Sequence, residues 1–247
     1  MKIALMGYGK MGKKIEEIAL KRGHEIVLKI DISNRATLTH EALKQADVVI
    51  EFSTPATVLE NIQFCFEAGV PIVVGTTGWA PHVDEIKHAC IKKAGTILYS
   101  SNFSIGVNIL FALNKFLAHC MSAYEDYEIS MYESHHTQKL DAPSGTAVSL
   151  ANDANNILYK KDKWVTLKNG DPTHLGRNEF PVYYDREENV TGYHEVSYTS
   201  SIDKIKISHE AFNRDGFALG AVIGAEFVLD KKGIFTTEDL FKFNPSF

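Results

Sequence analysis

The sequence predicts an α/β protein of two domains: a parallel sheet covered by helices on both faces, and a smaller α+β domain that follows it. Three observations carry this. Short apolar runs alternate with amphipathic stretches through the first hundred residues, a glycine-rich turn follows the first run directly, and the rhythm changes after Phe103. At 247 residues, 45% of them hydrophobic, the chain is long enough to bury two modest cores.

Taken in order, the apolar runs at residues 3–6, 26–30, 48–52, 72–74 and 97–99 read as strands. Residues 13–21, 57–67 and 82–94 carry apolar side chains at roughly helical spacing, and Gly23, Gly69 and Gly95 sit where C-terminal caps belong. Beyond Phe103, residues 105–121 read as a helix, 126–133 as a strand and 147–159 as a second helix. Residues 193–198 and 202–208 alternate as strands do, whereas 162–189 is polar and turn-rich. The last apolar stretch, residues 217–229, reads as a long helix returning to the first domain. The expected domains are therefore residues 1–103 with 214–247, and residues 104–213.

Charge and cysteine content narrow the function classes. A net charge of −5 with scattered Lys and Arg offers neither a basic stripe for nucleic acid nor a polybasic face for a membrane, so small molecules are the expected partners. The apolar run at 3–6 is far too short for a signal segment or for a membrane span, which needs roughly 20 apolar residues. A cytoplasmic location is expected. Cys65, Cys90 and Cys120 form no C-x-x-C and are read as buried free thiols, with no metal cage.

Gly7, Gly9 and Gly12 form G-Y-G-K-M-G between the first strand and its helix, with Lys10 and Met11 inside the motif. In that context the first glycine permits the tight turn, the second admits a pyrophosphate, and the third lets helix and strand pack closely. This makes the first domain Rossmann-type. Asp31, at the end of the second strand, can accept hydrogen bonds from the adenosine ribose. Because Ile32 rather than a basic residue follows it, NADH is favoured slightly over NADPH, although Arg35 or Lys10 could reach a 2′-phosphate. Ser53, after the third strand, and Gly75, Thr76 and Thr77, after the fourth, are candidates for the nicotinamide end, or else ordinary turn residues with helix caps.

The segment from Glu133 to Ala147 concentrates the chemistry. His135 and His136 change charge near neutral pH, Lys139 is a fixed cation, and Ser144, Gly145 and Thr146 open a helix whose amides can bind an anion. A dianionic substrate suits them. The plainer reading is a surface loop with Ser144 as a helix cap and Lys139 paired with Asp141. No H-E-x-x-H or nucleophile elbow is present.

Together, Glu133, His135, His136, Lys139, Asp141 and Pro143-Ser144-Gly145-Thr146-Ala147 resemble the signature of the dihydrodipicolinate reductases. So do Ser101-Asn102-Phe103-Ser104, Gly192-Tyr193-His194, His209, Arg214, Phe217 and Gly220-Ala221. The resemblance implies NAD(P)H-dependent reduction of a cyclic dicarboxylate in diaminopimelate and lysine synthesis, with hydride delivered to ring C4. It makes His135 the general acid and Lys139 a substrate-binding cation that assists protonation. His136, Ser144, Gly145 and Thr146 become carboxylate ligands, and Ser101, Phe103, Arg214 and Phe217 join the cofactor site. It further implies a homotetramer built through second-domain sheets.

Overall fold

The computed structural model describes residues 1–172 and 174–243. Residues 173 and 244–247, counted above within the second and first domains respectively, lie outside the described residues. The chain divides into two compact units, Met1–Ile105 with the chain from Arg214 onward, and Gly106–Asn213.

The first unit runs β1 (Lys2–Met6), α1 (Lys10–Lys21), β2 (Glu25–Ile30), α2 (His40–Leu43), β3 (Val48–Glu51), α3 (Val58–Ala68), β4 (Ile72–Val74), α4 (Val83–Lys92) and β5 (Thr96–Tyr99). All pairings in its six-stranded sheet are parallel, in the order β11-β5-β4-β3-β1-β2, where β11 is Gly233–Thr236. Period-two alternation splits each strand between two cores. Ala4, Met6 and Val49 face α3 and α4, while Ile3, Leu5 and Ile50 face the opposite side with Ile15 of α1. The order reverses between β1 and β3, and a ligand crevice opens at such a point, beyond the carboxyl ends of the strands.

The final apolar stretch forms a helix, Asp215–Val228, and packs in the same core as α1. A Cβ on Gly220 would fall 1.8 Å from the Phe103 carbonyl oxygen, so this helix meets the chain backbone to backbone. Two C-terminal glycines, Gly23 and Gly69, are left-handed as caps. At the third helix end it is Ala94 that adopts φ +50°, and Gly95 answers a different need, since a Cβ there would strike the Phe66 ring at 2.7 Å. Cys65 and Cys90 are buried, but Cys120 is exposed.

The second unit contains α5 (Ile105–Met121), β6 (Glu128–His135), α6 (Gly145–Ile157), β7 (Lys163–Lys168), β8 (Glu179–Arg186), β9 (Gly192–Thr199) and β10 (Lys204–Ala211). Following it in the chain, the helix at Asp215–Val228 is α7 and Thr237–Phe241 is α8. The second sheet is mixed, in the order β10-β9-β6-β8-β7. Residues 162–189 thus hold two strands where the sequence reads as turn-rich. Pro181, which argues against an interior strand, lies within β8 and faces Val165 of β7. Leu110 and Ala118 of α5 and Leu150 and Ala154 of α6 cover one face, over Met131, Val182, Val196 and Tyr198. Among the described residues no helix is long and apolar enough to cross a membrane.

Candidate active site

In the first unit the glycine turn is sterically compelled. Gly7 has φ +92°, and a Cβ on it would lie 2.0 Å from the Phe52 carbonyl oxygen; one on Gly12 would lie 2.3 Å from the Gly7 oxygen. Gly9, by contrast, has nothing within 4 Å of the Cβ position. It caps α1 without a side-chain hydrogen bond, and the first turn carries no acidic residue. The amides at this N-terminus are therefore open to an anion, so these residues fit a pyrophosphate.

Around this turn a cavity of 240 Å³ brings together Met11, Ser53, Gly75, Thr76 and Thr77. Ser101 lines a separate cavity of 390 Å³ that shares Thr76 and Thr77. Asp31 is exposed and accepts from the Ser33 amide at 2.8 Å and hydroxyl at 2.6 Å, which hold its carboxyl below the usual range. Arg35 is committed elsewhere: it donates to Asn61 Oδ1 at 2.8 Å, pairs with Glu60 at 3.0 Å and lies over the Phe64 ring. Lys10 remains exposed at the start of α1. Phe103 differs from expectation, since its ring is core, packed near Phe52, which leaves its backbone for any ligand contact. Arg214 is exposed and Phe217 half-buried in the first turn of α7.

The second unit gathers the titratable groups through strand register. Met131, Glu133 and His135 share one face of β6 by alternation. The antiparallel pairing with β9 sets His194 opposite Glu133, and the parallel pairing with β8 sets Arg186 opposite His135. Glu133 is fully buried. It accepts from the Ser144 amide at 3.0 and 3.1 Å and from Arg186 Nη2 at 3.1 Å, while His135 Nδ1 lies 3.4 Å away. Arg186 also donates to the carbonyls of Lys139 and Asp141, pinning the loop between β6 and α6. Ser144 caps α6, its Oγ accepting from the Ala147 amide at 3.2 Å and lying 3.1 Å from His194 Nε2.

Lys139 is 2.8 Å from Asp141, so the plain pairing is real and an incoming carboxylate competes with it. Asp141 loses some acidity to burial, but its hydrogen bonds from Lys139 and the nearby charges outweigh that and hold its carboxyl low. Gly145 is exposed and Thr146 half-buried at the N-terminus of α6, while His136 keeps a buried Nδ1 without a hydrogen-bond partner. His135 belongs to the end of β6 rather than to a surface loop.

Glu133, His135 and His194 each offer one ligand atom within 4.8 Å of the others, a spacing a metal ion could use. The local charge points the other way. Glu133 is already taken by an amide and a guanidinium, and Lys139 and Arg186 set up a positive field that suits an anion. Burial, then the charges of Lys139 and Arg186, lower His135 to about 4; burial, then neighbouring His135, lowers His194 to about 3.

These depressed histidines make stability pH-dependent. Unfolded, they bind protons near pH 6.5, so between that value and their folded pKa the unfolded state holds more protons and stability falls as pH falls. Stability to urea is expected to fall from pH 6.5 to 5, with a slope that steepens towards about 1.4 kcal/mol per pH unit for His194 alone. A His194→Gln variant should show a shallower slope over that interval, and an unchanged slope would contradict the assignment.

The family model for the N-terminus of dihydrodipicolinate reductase matches residues 1–103, and that for the C-terminus matches residues 106–241. A 4-hydroxy-tetrahydrodipicolinate reductase of Christiangramia forsetii is 47% identical over 242 residues, covering 97% of each chain. Its counterpart from Alkaliphilus oremlandii is 38% identical over 197 residues, 78% of this chain and 79% of its own. A dipicolinate-bound dihydrodipicolinate reductase from Paenisporosarcina sp. TG-14 shares the fold, with a TM-score of 0.73 at 23% identity over 96% of this chain and 97% of its own.

Proposed function

The chain belongs to the dihydrodipicolinate reductase family of NAD(P)H-dependent oxidoreductases, and from that premise we propose that it reduces 4-hydroxy-tetrahydrodipicolinate to tetrahydrodipicolinate, on the way to diaminopimelate and lysine, at the cluster around His135. The observation that carries this is the juxtaposition of a buried histidine pair with Lys139, Arg186 and the N-terminus of α6, a setting made for a dianion. Lys139 with the amides of Gly145 and Thr146 receives the ring carboxylates, and Ser144 and His136 complete their surroundings. Fixing both carboxylates presents one face of the ring.

Gly7, Gly9 and Gly12 of the first unit would hold NAD(P)H, which when bound would supply a hydride to ring C4, after or together with loss of the 4-hydroxyl as water, and leave as NAD(P)+. His135 delivers the proton that quenches the negative charge left on the ring, and Glu133 and His194 hold its imidazole in place. The first unit is thus the cofactor domain and Gly106–Asn213 the substrate domain, working in the cytoplasm. The test is titration with pyridine-2,6-dicarboxylate in the presence of NADH, followed by turnover of freshly generated substrate. A protein that binds NADH but ignores the planar dicarboxylate has another substrate.

Asp31 with the committed Arg35 supports a lean towards NADH. Asp31→Ala is expected to weaken NADH more than NADPH, since the carboxylate favours a free 2′-hydroxyl and repels a 2′-phosphate. Equal losses would place Asp31 away from the ribose. For self-association we favour a homotetramer formed through the face of the second sheet that α5 and α6 leave open, where Tyr132, Tyr193 and Glu195 lie. Sedimentation of the purified chain reads the state directly.

A further inference from the structure

Glu51 ends β3 wholly buried, and the chemistry above makes no use of it. Its Oε1 accepts from the Ser53 amide at 3.2 Å, from the Ser53 hydroxyl and from Asn61 Nδ2 at 3.3 Å. The Ser53 amide is shared with Thr76 Oγ1 at 2.8 Å. Asn61, buried in α3, turns its other amide atom to Arg35, accepting from Nε at 2.8 Å. One carboxyl thereby joins the segments that follow three strands of the sheet: Arg35 after β2, Ser53 after β3 and Thr76 after β4.

We propose that Glu51, as a neutral acid, is a positioning residue of the cofactor site, setting the Ser53 and Thr76 loops against the Arg35 loop without touching the cofactor. Among the described residues no cation forms an ion pair with it, and its Oε2 is buried with no hydrogen-bond partner. An anion there would lack compensation for much of its charge. Burial raises its carboxyl pKa, against the hydrogen bonds from Ser53 and Asn61. The ionisable groups around it are Cys65, whose thiol is pushed up by burial, and Arg35, which acts on that thiol in the opposite sense.

This inference rests on the glycine-turn cofactor site proposed above. Glu51→Gln keeps the acceptor and is permanently neutral, so its KM for NADH should stay within about twofold of the parent. Glu51→Ala should raise that KM about tenfold while kcat changes less than about twofold and dipicolinate affinity stays the same. As pH rises from 6 to 9 the parent KM should climb above that of Glu51→Gln. An equal KM increase in Gln and Ala, no increase in Ala, or superimposable pH profiles for the parent and Gln would overturn the proposal. If Ala fails to fold, the Gln variant and its profile still decide. Gly12→Ala separates the two layers: NADH binding that survives it removes the cofactor site itself, whatever Glu51 does.

Discussion

Replacing His135 with glutamine is expected to lower kcat by about 10² to 10⁴ while leaving NADH affinity unchanged, because the imidazole acts on the substrate ring and not on the nucleotide. The protonation state makes the test sharper. Burial and the charges of Lys139 and Arg186 hold His135 near 4, so in the free protein at pH 7 it is neutral and cannot serve as an acid. A dianion seated between those cations offsets their field and raises His135 towards the charged form, against the burial that is the larger cause of its shift. Binding of pyridine-2,6-dicarboxylate at pH 7 should therefore take up a proton, seen calorimetrically as a dependence of the observed enthalpy on buffer ionisation. His135→Gln should lose that uptake. Unchanged turnover, or uptake that persists in the variant, would move the acid elsewhere, His194 being the next candidate.

That His135 sits in such a field is only partly visible in the sequence. The glycine turn can be read locally, since Gly7, Gly9 and Gly12 follow an apolar run and open a helix, and the steric demands found at Gly7 and Gly12 are those the spacing implies. Ser144 as a cap is local too. Arg186 and His194 are not. They lie 53 and 61 residues beyond Glu133 and meet it only because β8 pairs in parallel and β9 antiparallel with β6. Register depends on which face is buried, and no local pattern encodes it. Arg186 was further hidden because Pro181 and the polar residues before it disguise β8. Alternation along residues 193–198 does expose His194 as an inward residue, in line with Val196 and Tyr198, so a buried histidine on an apolar face was the available signal. The commitment of Arg35 to Asn61 and Glu60 is a tertiary fact of the same kind.

Arg186→Met should be among the most destabilising single substitutions in the second unit, by about 3–5 kcal/mol, since removing one partner of a buried ion pair leaves the other charge uncompensated. Glu133 has no exposure at all and the Arg186 side chain is only 16% exposed, so water cannot replace the lost guanidinium. The same change frees the carbonyls of Lys139 and Asp141, which Arg186 pins, so the anion-binding loop should loosen and dicarboxylate affinity should fall together with stability. Urea unfolding and dicarboxylate titration on one preparation read both effects. A double variant, Arg186→Met with Glu133→Gln, separates them. Neutralising Glu133 removes the orphaned charge and should recover part of the stability, because the pair is coupled. It should recover none of the affinity, because the loop still lacks its donor. Recovery of affinity along with stability would mean that Arg186 serves the fold alone and that the loop holds its shape without it.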